Sequence, residues 1–217
     1  MTLSSNIPLE ILTPFKRWSE AMKELSDNEV RIRFIKSELS GLLLDKALFA
    51  RILSHVIEGS GYPDIRQGTM FDNEIPLYSD NNRLFSARLY LWAPDEYTPI
   101  HDHNSWGVIG PGLGRYEVIK YRREKEGPQE AWGGLVEVER LILLPGQTEV
   151  TLPLKEGIHQ TGNPSDQTIF TLHVYGNPIR RAYINGFDMD KGRVYRIYAP
   201  KVKKRMLASQ ALASLEG

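Results

Sequence analysis

The sequence predicts a mainly β protein, an antiparallel β-barrel of jelly-roll type with a helical segment at its N-terminus. Two observations carry that expectation. From about Leu84 onward the chain runs in short alternating segments, ARLYLW, YEVIKY, LVEVERLILL, TEVTLPL and IFTLHVYG, separated by Gly, Pro and Asn. Alternation with period two between turn formers is the pattern of short antiparallel strands. Before residue 60 the apolar side chains instead recur every three or four positions, the period of a helix.

Taken in order, Phe15, Trp18, Met22 and Leu25 mark a first helix, and Ser26 with Glu29 is placed to form a capping box that opens a second. A further helix around Ala47 to Glu58 is expected to end at Gly59 and Gly61, with His55 as a packing or surface residue within it. The expected division is a helical segment over 1–65, a barrel over 66–200 and a tail over 201–217. The tail, KVKKRMLASQALASLEG, combines a basic cluster with a possible short helix and reads as a solvated or docking end. The chain has no internal repeat.

A length of 217 residues fits one domain with a sizeable core and an accessory segment. Lys plus Arg and Asp plus Glu both number 27, so no net field draws the chain to nucleic acid or to an anionic membrane. It has no cysteine, which excludes disulfides, thiolate metal sites and a cysteine nucleophile and is compatible with a reducing compartment. The start lacks the basic flank and apolar run of a signal peptide, and no stretch is long and apolar enough to span a bilayer. A cytoplasmic location is the expectation.

Chemistry enters with His101 and His103 in TPIHDHNSWG and with His159 in GIHQTGN. On a strand, positions two apart project from the same side, so the HxH pair is a two-ligand clip. Gly157, Gly162, Asn163 and Pro164 surround His159 with turn formers, which lets a distant strand end bring a third imidazole to the clip. Three neutral nitrogens on one face of an ion leave the opposite face open for substrate.

Together TPIHDH and LPGQTEVTLPLKEGIHQTGN resemble the two halves of a cupin barrel. The usual glutamate ligand three or four positions after the second histidine is absent, because Trp106 and Gly107 stand there. An all-histidine site, the stretch WAPDEYTPIHDHNSWGVIG and the later TLHVYG are similar to thiol dioxygenases related to cysteine dioxygenase type I, over roughly Leu77 to Arg193. That resemblance implies ferrous iron, Fe(II), held by His101, His103 and His159. It implies addition of dioxygen to the sulfur of a small thiol, giving a sulfinic acid. It also places Thr171, His173 and Tyr175 beside the iron, with Tyr175 as the phenolic donor, His173 orienting it and Thr171 holding His173. The cysteine that some family members link to the tyrosine is missing, and Gly107 falls near its place. Three neutral imidazoles leave the full dipositive charge on the ion, which favours an anionic thiolate.

The family's arginine or glutamine for the substrate carboxylate falls on Glu74, within a residue or two. A carboxylate there repels an anionic arm and attracts an ammonium, so cysteamine is expected to compete well with cysteine. The alternative is that Glu74 faces solvent and that Arg83, Arg88 or Arg181 reaches into the pocket instead. Two other functions fit the same barrel, a metal-dependent hydrolase or carbon–carbon lyase and a non-catalytic small-molecule binder.

Overall fold

Ile11, Phe15, Trp18 and Met22 are spaced by four, three and four residues, which places them on one face of helix α1 (Leu9–Lys23), and all four are buried. The computed structural model describes residues 8–59, 62, 69–128 and 130–216. Leu25 lies past the end of α1 but still packs on the same core. Helix α2 (Asn28–Leu42) is opened by Asp27, whose side chain accepts from the Val30 N–H at 2.9 Å. The capping box expected of Ser26 and Glu29 is thus replaced by a carboxylate one residue later that satisfies the same kind of first-turn donor. Asp45 does the same for α3 (Lys46–Glu58), accepting from Leu48 N–H at 2.9 Å. Gly59 ends α3 with φ of 65°, a conformation a Cβ would penalise; Gly61 lies outside the described residues. His55 sits in the last turn of α3, 4.0 Å from the Glu58 carboxylate.

The strands that follow are β1 (Glu74–Ser79), β2 (Phe85–Trp92), β3 (Ile100–His101), β4 (Gly107–Leu113), β5 (Tyr116–Arg123), β6 (Leu135–Leu143), β7 (Glu149–Thr151), β8 (His159–Gly162), β9 (Ile169–Gly176), β10 (Tyr183–Asp188) and β11 (Arg193–Tyr198). They form two antiparallel sheets, ordered β1-β2-β9-β4-β7 and β11-β10-β3-β8-β5-β6. The mainly β architecture with N-terminal helices is the one the sequence predicts. Strand β1 begins ten residues before the alternating texture does, because a bulge between Pro76 and Tyr78 breaks its period.

The first sheet is buried on both faces. Phe85, Ala87 and Leu89 of β2 and Phe170, Leu172 and Val174 of β9 face the helices, where the Phe49 and Phe170 rings lie 4.6 Å apart and those of Phe15 and Tyr78 lie 5.5 Å apart. Each fully buried ring of this kind stabilises the fold by about 1.5–3 kcal/mol. The alternate positions, Tyr90 and Trp92 of β2, turn inward and pack with Ile109, Tyr116, Val118 and Ile169, with Tyr175 against them. Period-two alternation on β9 therefore sends Thr171, His173 and Tyr175 into the barrel, away from the helices. Helix α4 (Pro200–Glu216) is 17 residues long rather than short, and its Val202, Leu207 and Leu212 are exposed.

Candidate metal centre

His101 ends β3 and His159 begins β8, and the two are direct partners in the antiparallel ladder. Their side chains leave the same face of the sheet because cross-strand partners always do. His103 lies beyond the two-residue β3 rather than on it, so the HxH pair is not carried by one strand as the sequence suggested. Its chain is held instead by Asp102 N–H on the Asn185 carbonyl at 3.0 Å and by Leu154 N–H on its own carbonyl at 2.9 Å.

All three imidazoles are buried, with ring centroids 4.6 to 4.9 Å apart. One nitrogen from each falls within 4.8 Å of the others, a group that could hold a metal ion. His103 Nε2 and His159 Nε2 approach to 2.9 Å, and two nitrogens this close share either one proton or one cation. His101 donates Nδ1–H to the Pro99 carbonyl at 2.8 Å, which leaves Nε2 with its lone pair for the ion. Burial holds the pKa of all three below the ordinary histidine value, with neighbouring imidazoles adding to the effect at His103 and His159. Neutral imidazole is the form a metal requires. The residues present therefore fit a divalent ion bound on one face, with no carboxylate in the set.

The residue between the first two ligands is fixed from outside. Asp102 accepts from Arg181 through both terminal nitrogens, at 2.6 and 3.0 Å, and from the backbone and side-chain N–H groups of Asn185 at 2.8 and 2.9 Å. Arg181 also donates from Nε to Asn104 Oδ1 at 2.6 Å, and Asn104 returns its amide to the carbonyls of Arg181 and Tyr183. The guanidinium of Arg181 is thus committed to the loop between His101 and His103.

Thr171, His173 and Tyr175 form one hydrogen-bonded line. Thr171 Oγ1 is 2.9 Å from His173 Nε2, and His173 Nδ1 is 3.0 Å from Tyr175 Oη. At its far end Trp92 donates its indole N–H to Thr171 Oγ1 at 2.9 Å. In the tautomer with the His173 proton on Nδ1, the threonine proton goes to His173 Nε2 and His173 Nδ1–H goes to Tyr175. When its oxygen accepts from His173 Nδ1–H, Tyr175 has its own proton left to give. Burial raises its pKa, and the Glu74 charge adds to this. Burial pushes His173 down to about 3. The Tyr175 ring stacks over His103 with centroids 5.9 Å apart, so this line ends beside the histidine cluster.

Glu74 is buried rather than solvent-facing. Its carboxylate pairs with Arg88 Nη1, and its other oxygen accepts the N–H groups of Met70 at 2.9 Å and Phe71 at 3.4 Å. The expectation of a solvent-facing Glu74 is corrected here, since the side chain is buried and paired with Arg88. Arg88 stands opposite His173 in the β2–β9 ladder, while Arg83 is exposed at the tip of the β1–β2 turn. Sequence reasoning missed Tyr90, whose ring lies 4.3 Å from that of His173, Tyr116, Trp92, Asp102, and Phe71, which lies edge-on to His101 at 5.4 Å. Tyr90 and Trp92 were within reach of it, since they follow Arg88 at steps of two.

No protein-family model matches the chain. Among solved structures it is similar to a Cupin 2 conserved barrel domain protein from Salinispora arenicola, 18% identical with a TM-score of 0.36 over 52% of this chain and 83% of that one. It is similar to an oxalate decarboxylase from Lactobacillus farciminis, 18% identical with a TM-score of 0.37 over 52% of this chain and 31% of that one. A DMSP lyase from Ruegeria pomeroyi is 15% identical, with a TM-score of 0.33 over 46% of this chain and 42% of that one.

Proposed function

We propose that this chain is a metal-dependent barrel of the cupin superfamily that binds ferrous iron through His101, His103 and His159 and oxidises a small thiol with dioxygen. The observation that carries this reading is the hydrogen-bonded line from Trp92 to Tyr175 ending beside three buried neutral histidines. In the overall reaction both atoms of dioxygen are transferred to one sulfur and the thiol becomes a sulfinic acid, so no further reductant is needed. Iron, when bound, supplies the redox chemistry that dioxygen requires and a charge that favours a thiolate.

The protein's own part is positional. Tyr175 stays protonated across the neutral range because of its burial, and with His173 Nδ1 donating to it at 3.0 Å its proton is presented at one place. Phe71, Tyr90 and Tyr116 wall the site with rings, which excludes water from a reaction that hydrolysis or leakage would divert. The Glu74–Arg88 pair sets a net charge near zero on this wall, so the repulsion expected to favour an ammonium-bearing thiol is largely cancelled.

Anaerobic purification, metal analysis and a thiol panel read by oxygen uptake and by mass of the product test the reading. One iron per chain with stoichiometric sulfinate formation is the expected result. Zinc in place of iron, with no oxygen uptake on any thiol, overturns it in favour of a hydrolytic site.

A further inference from the structure

Beyond the histidine cluster, the turn between β1 and β2 and the segment after β9 enclose a cleft of about 450 Å³. Its lining includes Arg83, Ser86, Arg88, Gly176, Arg180 and Arg181. Ser86 and Gly176 both flank Tyr175, the first as its partner across the β2–β9 ladder and the second as its chain neighbour. The floor of this cleft is therefore one residue from the tyrosine that stacks on His103.

The four arginines are not equivalent. Arg181 is committed to Asp102 and Arg88 to Glu74. The cleft's one lining carboxylate, Asp80, is turned inward, accepting from Ser19 Oγ, from Asn82 N–H at 2.8 Å and from Leu84 N–H at 3.1 Å. Arg83 and Arg180 are exposed and have no ion-pair partner among the described residues. Arg83 in addition holds φ of 60°, a left-handed conformation disfavoured for a residue with a Cβ. Two free guanidinium groups thus rim a cleft whose inner cations are already neutralised.

We propose that this cleft receives the anionic arm of the substrate, and that the anion stands farther from the sulfur than the carboxylate of cysteine does. The inference rests on the thiol-oxidation reading for what lies at the inner end, and on the arginines for what lies at the mouth. Arg83 is three residues from Ser86, so at roughly 3.3 Å per residue its backbone lies as much as about 10 Å beyond the Tyr175 rung. The ligand class is a thiol with a terminal carboxylate or phosphate on an extended arm, the anion lying between Arg83 and Arg180.

The test compares pairs of thiols equal in length and differing in charge, titrated calorimetrically into the iron-loaded protein under argon. The long pair is mercaptohexanoate and mercaptohexanol, and the short pair is mercaptopropionate and mercaptopropanol; a mercaptohexyl phosphate distinguishes phosphate from carboxylate. For the long pair the anion should bind about tenfold tighter than the alcohol, the combined effect of two partly solvated cations. That ratio should fall with added salt and drop to near one in the Arg83→Gln/Arg180→Gln double variant. The short pair should keep its ratio in that variant. Both substitutions are at exposed positions, and a circular-dichroism melt confirms folding. An unchanged long-pair ratio in the double variant overturns the proposal. Hexanoate, which has no sulfur, separates the two readings: if it binds in an arginine-dependent way and as tightly as mercaptohexanoate, while neither mercapto-alcohol binds, the cleft stands as an anion site and the thiol reading falls.

Discussion

Gly107 stands directly across from Tyr175 in the β4–β9 ladder, so close that a Cβ at position 107 would lie 2.8 Å from two carbons of the tyrosine ring and 2.9 Å from the Thr151 methyl. Hydrogen alone fits there. Gly107→Ala should push the ring off its stack on His103 and lower turnover at least tenfold while iron content stays near that of the wild type. Metal analysis beside oxygen uptake checks this; equal metal-corrected activity would show that the ring's position is not needed.

Tyr175→Phe removes the hydroxyl and keeps the ring packing. Turnover should fall by about 10²-fold or more, the range for loss of a positioned proton donor, with iron retained. Metal-corrected rates equal to wild type would reduce Tyr175 to a packing residue.

Replacing His103 or His159 by alanine should empty the site without unfolding the chain, since the packed sheets and helices and not the ion supply the core. Inductively coupled plasma analysis together with far-ultraviolet circular dichroism reads both quantities. Full iron occupancy in either variant would refute the ligand set.

Arg181→Ala leaves the Asp102 carboxylate buried with its cation gone, a change that costs about 3–5 kcal/mol when a buried pair is broken. Iron affinity should weaken, because Asp102 lies between two ligands, and the melting temperature should drop. The Arg181→Ala/Asp102→Asn double variant should recover part of the stability. A single variant with wild-type stability and iron affinity would show that the clamp does not hold the ligand loop.

His173 adds a pH dependence with a definite sign. Its folded pKa of about 3 lies below the unfolded value, so below pH 6.5 the unfolded chain takes up a proton that the native one refuses. Stability is present above that pH and is lost as the pH falls, by about 2 kcal/mol between pH 7 and 5. Urea midpoints of the wild type and His173→Gln across this range check it, and the variant's curve should be flatter.

The helices were legible in the sequence because each buries a stripe with a regular period, as Phe15 to Met22 show, and the long strands because short β-rich runs stand between Gly, Pro and Asn, as Phe85 to Trp92 show. The three histidines and the line on β9 were placed together by their resemblance to known motifs, since His103 lies off the two-residue β3 and strand period alone does not bring it to His101. Strand β1 was not legible, since its bulge breaks the period. Nor were the partners of the charged residues: nothing in the spacing of Glu74, Arg88, Asp102 and Arg181 says which carboxylate meets which guanidinium, a matter of tertiary contact between residues 14 and 79 positions apart. The pairing of Glu74 with Arg88 and of Asp102 with Arg181 is therefore read from the structure and not from the sequence.

Strand β9 is a shared wall. Phe170, Leu172 and Val174 answer to the helical layer, while Thr171, His173 and Tyr175 answer to the histidine cluster, and one backbone carries both sets. A cavity cut behind the strand, at Phe49 for instance, gives the wall room to shift toward the helices. Activity then becomes a gauge of packing on a face the substrate never meets, and warming such a protein would blunt its chemistry before its barrel came apart.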